Sequence, residues 1–262
     1  WFDSEFDQIL FTVIDSGEVI VIDHQIDMET TRFHEGGRYD KGGDILYRWG
    51  NPDAYNHGSP GNQVLFGPNS VSVIPHGYPG GGHVLVLNNG LHRKESLYNL
   101  DHLRFSTVHE FKLPRSDTGA FRDLKMGRID IYEPTVFDQE WIFEAIPRTK
   151  VYSAVMGSAQ RLPNGNTLIM VSLPHSAMFE ITMAGQLVWE WDAYSAYSWA
   201  QNVSHASGED SDPDQPEYYT EDAPLPFAFQ VHRTPIDFVG IKALDAECLH
   251  EIGEANKVYM PE

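Results

Sequence analysis

The chain of 262 residues sets 18 Lys and Arg against 38 Asp and Glu, a formal charge of −20. Phosphate backbones and anionic lipid repel such a surface, and no Lys/Arg cluster offers a local exception, so nucleic acid is set aside as a partner. A hydrophobic fraction of 41% supplies a packed core, no apolar run approaches the roughly 18 residues of a membrane span, and one thiol, Cys248, excludes an internal disulfide and a multi-Cys metal site.

In chain order, short runs of β-branched and aromatic residues recur between Gly, Asn, Asp and Pro, and helical periodicity is nearly absent. This predicts an all-β chain. Strands are expected at 8–14, 18–23, 44–49, 71–75, 83–87, 107–113, 141–145, 159–162, 167–172, 177–182 and 186–191, with a spacing that suits antiparallel hairpins. Trp1 is no initiator, and no signal-like segment precedes the first strand, so an N-terminal segment is expected to have been removed or to be missing.

These strands group into a repeated four-strand unit. It is plainest over residues 157–193, written GSAQRLPNG, NTLIMVSL, SAMFEITM and GQLVWEWDA, where Asn164-Gly165 is expected to turn a tight hairpin between the first two strands. A looser copy covers residues 69–147 and is stretched between its third and fourth strands. The earliest copy, DQILFTVI, GEVIVIDH and GDILYRWG, is read as lacking its opening strand. Each unit closes on an aromatic-bearing strand: Leu46-Tyr47-Arg48-Trp49, Trp141-Ile142-Phe143-Glu144, Leu187-Val188-Trp189-Glu190-Trp191. Four-stranded sheets in series are the signature of a β-propeller. A β-sandwich built from coincidental hairpins is the alternative.

Residues 204–222 interrupt the pattern with an acidic stretch rich in Ser and Pro, read as a solvated loop or insertion. Calcium binding is the sharper alternative, because Asp210, Asp212 and Asp214 alternate, although the glycine and terminal Glu of an EF-hand are missing. The sequon Asn202-Val203-Ser204 on its flank serves only a protein secreted by a eukaryote.

The stretches GGDILYRWGNPDAY, LFGPNSVSVIPHGYPGGGHVLVLNNG, GSAQRLPNGNTLI, FEITMAGQLVWEW and FQVHRTP together resemble the arylsulfotransferase family of β-propellers, over nearly the whole chain up to about Gly240. The resemblance implies a six-bladed propeller, commonly exported, that moves a sulfuryl group from an aryl sulfate to a phenol without a nucleotide donor or other cofactor. The implied route is a covalent sulfo-histidine at the central channel, with aryl or carbohydrate sulfates as ligands. A sulfate monoester resists water, which suits an imidazole nucleophile flanked by cationic or donor groups on the sulfuryl oxygens.

Carried over residue by residue, the family's channel histidine falls on Asn69, whose amide can donate to a sulfate oxygen but cannot form the covalent intermediate. Arg93, after Asn88-Asn89-Gly90, matches a family arginine that would bind the anion. His232 with Arg233 matches a later His-Arg pair and is the best remaining imidazole. Gln160 and Arg161 share a first strand, so by alternation one faces the channel and the other packs; Gln160 is taken with Arg233 as substrate-binding. Three units and a tail strand cannot close a propeller. Residues 1–262 are therefore read as a single partial propeller domain, completed by N-terminal blades or a second chain, which would also lend the first unit its missing strand. A catalytically silent propeller used for binding or assembly is the competing function.

Other motifs are weaker. Gly80-Gly81-Gly82 lacks the Lys-Ser/Thr of a phosphate loop and reads as a hairpin connection. His24, His34, His57, His76, His83, His92, His102, His109, His175, His205 and His250 show no metal-ligand spacing and are taken as loop or strand residues, so no metal is expected.

Overall fold

The computed structural model describes residues 1–24, 27–91, 93, 104–121, 139–172 and 176–192. Among them, strand and turn dominate as the sequence predicts, and the strands form three four-stranded antiparallel sheets, each consecutive in the chain. Sheet 1 comprises β1 (Phe2–Asp3), β2 (Gln8–Val13), β3 (Glu18–Asp23) and β4 (Ile45–Trp49). Sheet 2 comprises β5 (Pro68–Val73), β6 (Val84–Asn88), β7 (Thr107–Phe111) and β8 (Gln139–Glu144). Sheet 3 comprises β9 (Ser158–Arg161), β10 (Thr167–Val171), β11 (Ala177–Ile181) and β12 (Leu187–Asp192). No described helix is long and apolar enough to cross a membrane. The acidic stretch 204–222 and the tail strand lie outside the described residues.

Two expectations need correction. The first unit supplies its own opening strand: β1 pairs with β2 through Phe2↔Ile9 and Asp3↔Gln8. Two residues carry no alternation for a sequence reading to detect, and the strand is held by tertiary contacts. Arg115 Nη1 donates to Asp3 Oδ2 at 2.8 Å and to Gln8 Oε1 at 2.9 Å, with the guanidinium centred 4.0 Å from the Phe6 ring. The second correction concerns the β9–β10 hairpin, whose loop has three residues, Pro163-Asn164-Gly165. Gly165 N donates to Leu162 O and only Gly165 takes a positive φ, +86°. Pro163 pre-sets an ordinary turn, and the glycine then absorbs the left-handed step that restores strand pairing.

The sheets stack in series because sheet 2 offers an apolar face on both sides. Along β6, Val84 and Val86 join Leu10, Val19, Val21, Tyr47 and Trp49 of sheet 1 in one core. Leu85 and Leu87 join Ala159, Ile169, Val171 and Phe179 of sheet 3 in the other. A strand covered on both faces loses the polar half of its alternation, which is why VLVLN reads as a continuous apolar run. Two of the fourth strands turn an aromatic into these cores. Trp49 stacks on Phe111 of sheet 2 at 4.1 Å, and Phe143 packs into the core shared by sheets 2 and 3.

Candidate functional site

The two expected site residues on sheet 2 lie at the same end of it. Asn69, half-buried, pairs with Leu87 at a bulge where Ser70 takes φ +53°. Arg93 donates from Nη1 to Phe105 O at 3.0 Å and from Nη2 to Thr107 Oγ1 at 2.9 Å, and its guanidinium lies 4.2 Å from the centre of the Phe105 ring. Its planar fork therefore serves protein acceptors at the start of β7. Gln160 sits in β9 opposite Leu168, half-buried. Its neighbour Arg161 is 1% exposed and turned toward sheet 2, so Arg161 is the packing member of that pair. His232 and Arg233 lie outside the described residues.

The Arg93 contact begins a polar chain. Thr107 Oγ1 accepts from Arg93 and donates its hydroxyl hydrogen to His109 Nε2 at 2.9 Å. Asn88 Nδ2 shares that nitrogen at 3.3 Å, while His109 Nδ1 donates to Gln139 Oε1 at 3.2 Å. These partners require the proton on Nδ1. Burial lowers the His109 pKa to about 4, with the Arg93 charge acting in the same direction and the Gln139 contact opposing it. The imidazole is thus a neutral structural hub, edge-on to Trp49 with ring centres 6.3 Å apart.

At the opposite end of sheet 2 the fold assembles a different group. His83, at the close of the β5–β6 connection, places Nδ1 2.7 Å from Glu110 Oε1. The second carboxylate oxygen accepts from Arg161 Nη2, whose Nη1 donates to Gly165 O at 3.0 Å. The Arg161 guanidinium also lies 4.9 Å from the Trp141 ring centre. Gly80 closes over the carboxylate: a Cβ there would stand 2.4 Å from Glu110 Oε1, and φ is +82°, so glycine is required twice over. A carboxylate only accepts, so the neutral imidazole must carry its proton on Nδ1, which leaves the lone pair on Nε2.

Three other imidazole–carboxylate pairs occur among the described residues: His24–Asp7 at 2.8 Å, His34–Asp44 at 2.6 Å and His76–Glu5 at 2.6 Å. Their carboxylates are 42–53% exposed, against 4% for Glu110. Water competes for the exposed acids; Glu110 has only its protein partners, and the His83 ring, 23% exposed, is held in one orientation. Sequence reading passed over this group because its members lie 27 and 51 residues apart along the chain. The one available signal was the glycine run set between His76 and His83.

No group of three or more His, Cys, Asp or Glu among the described residues could hold a metal ion. Comparison with known proteins found no protein-family profile and no curated sequence that matches the chain.

Proposed function

We propose that the chain is part of an exported β-propeller related to the arylsulfotransferases. It transfers a sulfuryl group from an aryl sulfate to a phenol without a nucleotide donor, or binds sulfated aryl or carbohydrate ligands as a close derivative. The observation that carries this reading is the series of three four-stranded sheets, stacked face to face and each ending in an aromatic-bearing strand, at the positions that carry the resemblance. Three such sheets make half of a six-bladed ring, and further sheets, from the same polypeptide or another, complete it. In this reading an imidazole takes the sulfuryl group, His232 being the residue that the family motif indicates. Gln160 and Arg233 contact the sulfate, and Asn69 at most donates a hydrogen bond to it.

A second reading, a silent propeller used for binding or assembly, is favoured by one observation: the Arg93 guanidinium is engaged by Phe105 and Thr107. The test is incubation with 4-nitrophenyl sulfate and phenol, following nitrophenolate release. Turnover that depends on the phenol supports transfer. Sulfate-ester binding without release, with the ring completed, supports the silent propeller.

A further inference from the structure

We propose that Asn88 and Asn89 are positioning residues: one amide sets the start of β5, which carries Asn69, and the other sets the start of β9, which carries Gln160. The assignment rests on the reading in which those two side chains contact a sulfated ligand. Both asparagines are buried, where β6 ends. Successive side chains of extended chain point to opposite faces. Asn88 therefore follows Val86 on the face toward sheet 1, and Asn89 follows Leu87 on the face toward sheet 3.

Asn88 holds the segment that enters β5. Its Oδ1 accepts from Phe66 N at 2.7 Å, and its Nδ2 donates to Val64 O at 3.2 Å. The Phe66 carbonyl accepts in turn from Gly90 N at 2.8 Å, so this residue, just ahead of β5, is held at both polar backbone atoms. Asn89 holds the segment that enters β9. Its Nδ2 donates to Ser153 O at 2.8 Å and to Met156 O at 2.9 Å, while its buried Oδ1 meets no donor among the described residues. The amide is thus used for its two N–H groups, which neither a carboxylate nor an apolar side chain supplies. Ser106 braces the contact, donating to Asn89 O at 2.9 Å and accepting from Ser153 N at 2.9 Å. β5 and β9 lie beside one another but belong to different sheets, so no ladder between them fixes their offset. Two consecutive amides on β6 give both strand starts one reference, which a ligand touching Asn69 and Gln160 together requires.

The 262-residue chain and the variants Asn88→Leu and Asn89→Leu are followed by hydrogen–deuterium exchange. In the parent, residues 64–69 and 153–160 should exchange slowly, because both segments are pinned; fast exchange of either overturns the proposal without any variant. Asn88→Leu should speed exchange in 64–69 and Asn89→Leu in 153–160, each leaving the other segment unchanged. Equal acceleration throughout, or none, overturns the proposal. Affinity for 4-nitrophenyl sulfate is the second readout, and each variant should weaken it on the order of 10-fold, the scale of coupling within one network. In double-variant cycles, Asn89→Leu should be non-additive with Gln160→Ala and additive with Asn69→Ala, and Asn88→Leu the reverse. A general loss of stability does not produce that pattern, and additivity in every pair overturns the assignment. A parent that binds no sulfate ester, with the local exchange pattern intact, removes the sulfated-ligand reading and leaves the two amides as the groups that set β5 and β9.

Discussion

Acid should loosen this protein through His109 over a defined range of pH. The group has a pKa near 6.5 in an unfolded chain and about 4 in place, because burial opposes its charge and the Arg93 cation adds to that opposition. A lowered histidine pKa means that the unfolded state binds the extra proton first. The contribution is therefore fully present above pH 6.5, is lost as pH falls toward 4, and changes no further below that. At 1.36 kcal/mol per pKa unit, the gap amounts to about 3 kcal/mol. With a change of roughly 2–4 °C per kcal/mol for a domain of this size, the melting temperature falls by about 6–12 °C from this source. The comparison is with His109→Gln, which keeps a hydrogen-bonding side chain but cannot titrate. Asp23, whose carboxyl burial pushes upward, acts in the opposite sense and is common to both proteins, so the difference between their curves isolates the histidine. Denaturant unfolding at half-unit steps between pH 7 and pH 4 should show a steeper loss in the parent. Parallel curves for the two proteins would refute the argument.

Glu110→Gln leaves Arg161 buried without its counter-charge and should cost about 3–5 kcal/mol in chemical denaturation. Replacing the pair together, Glu110→Leu with Arg161→Met, should recover most of that loss. Leu87→Ala, at a fully buried position between sheets 2 and 3, should cost about 2–5 kcal/mol by the same measurement. Gly157→Ala forces a Cβ to 2.5 Å from Met170 O at φ +93°; a loss of about 1–3 kcal/mol is expected, visible as a lower midpoint with an unchanged denaturant slope.

Amino-acid order alone determined eleven of the twelve described strands, the grouping in fours of the second and third units and the antiparallel sense of each hairpin. Those properties are local: alternation, β-branched runs and turn residues act over a few positions, and Val84 to Asn88 or Thr167 to Val171 reads as a strand in isolation. The resemblance in the Gly-rich and Asn-Gly segments likewise brought Asn69, Arg93 and Gln160 forward, because a motif is itself a local pattern. Tertiary structure decided what no local pattern holds. Phe2 and Asp3 become a strand only because Arg115 grips Asp3 across more than a hundred residues. Arg93 spends its donors on Phe105 and Thr107, and a histidine with no distinguishing spacing, His109, is rendered neutral by burial. Glu110, an ordinary acid in an alternating strand, meets His83 and Arg161 where two sheets stack. Stacking settles these outcomes because the cost of a buried charge, and hence its partner and protonation, depends on what covers it, and the covering residues come from distant parts of the chain.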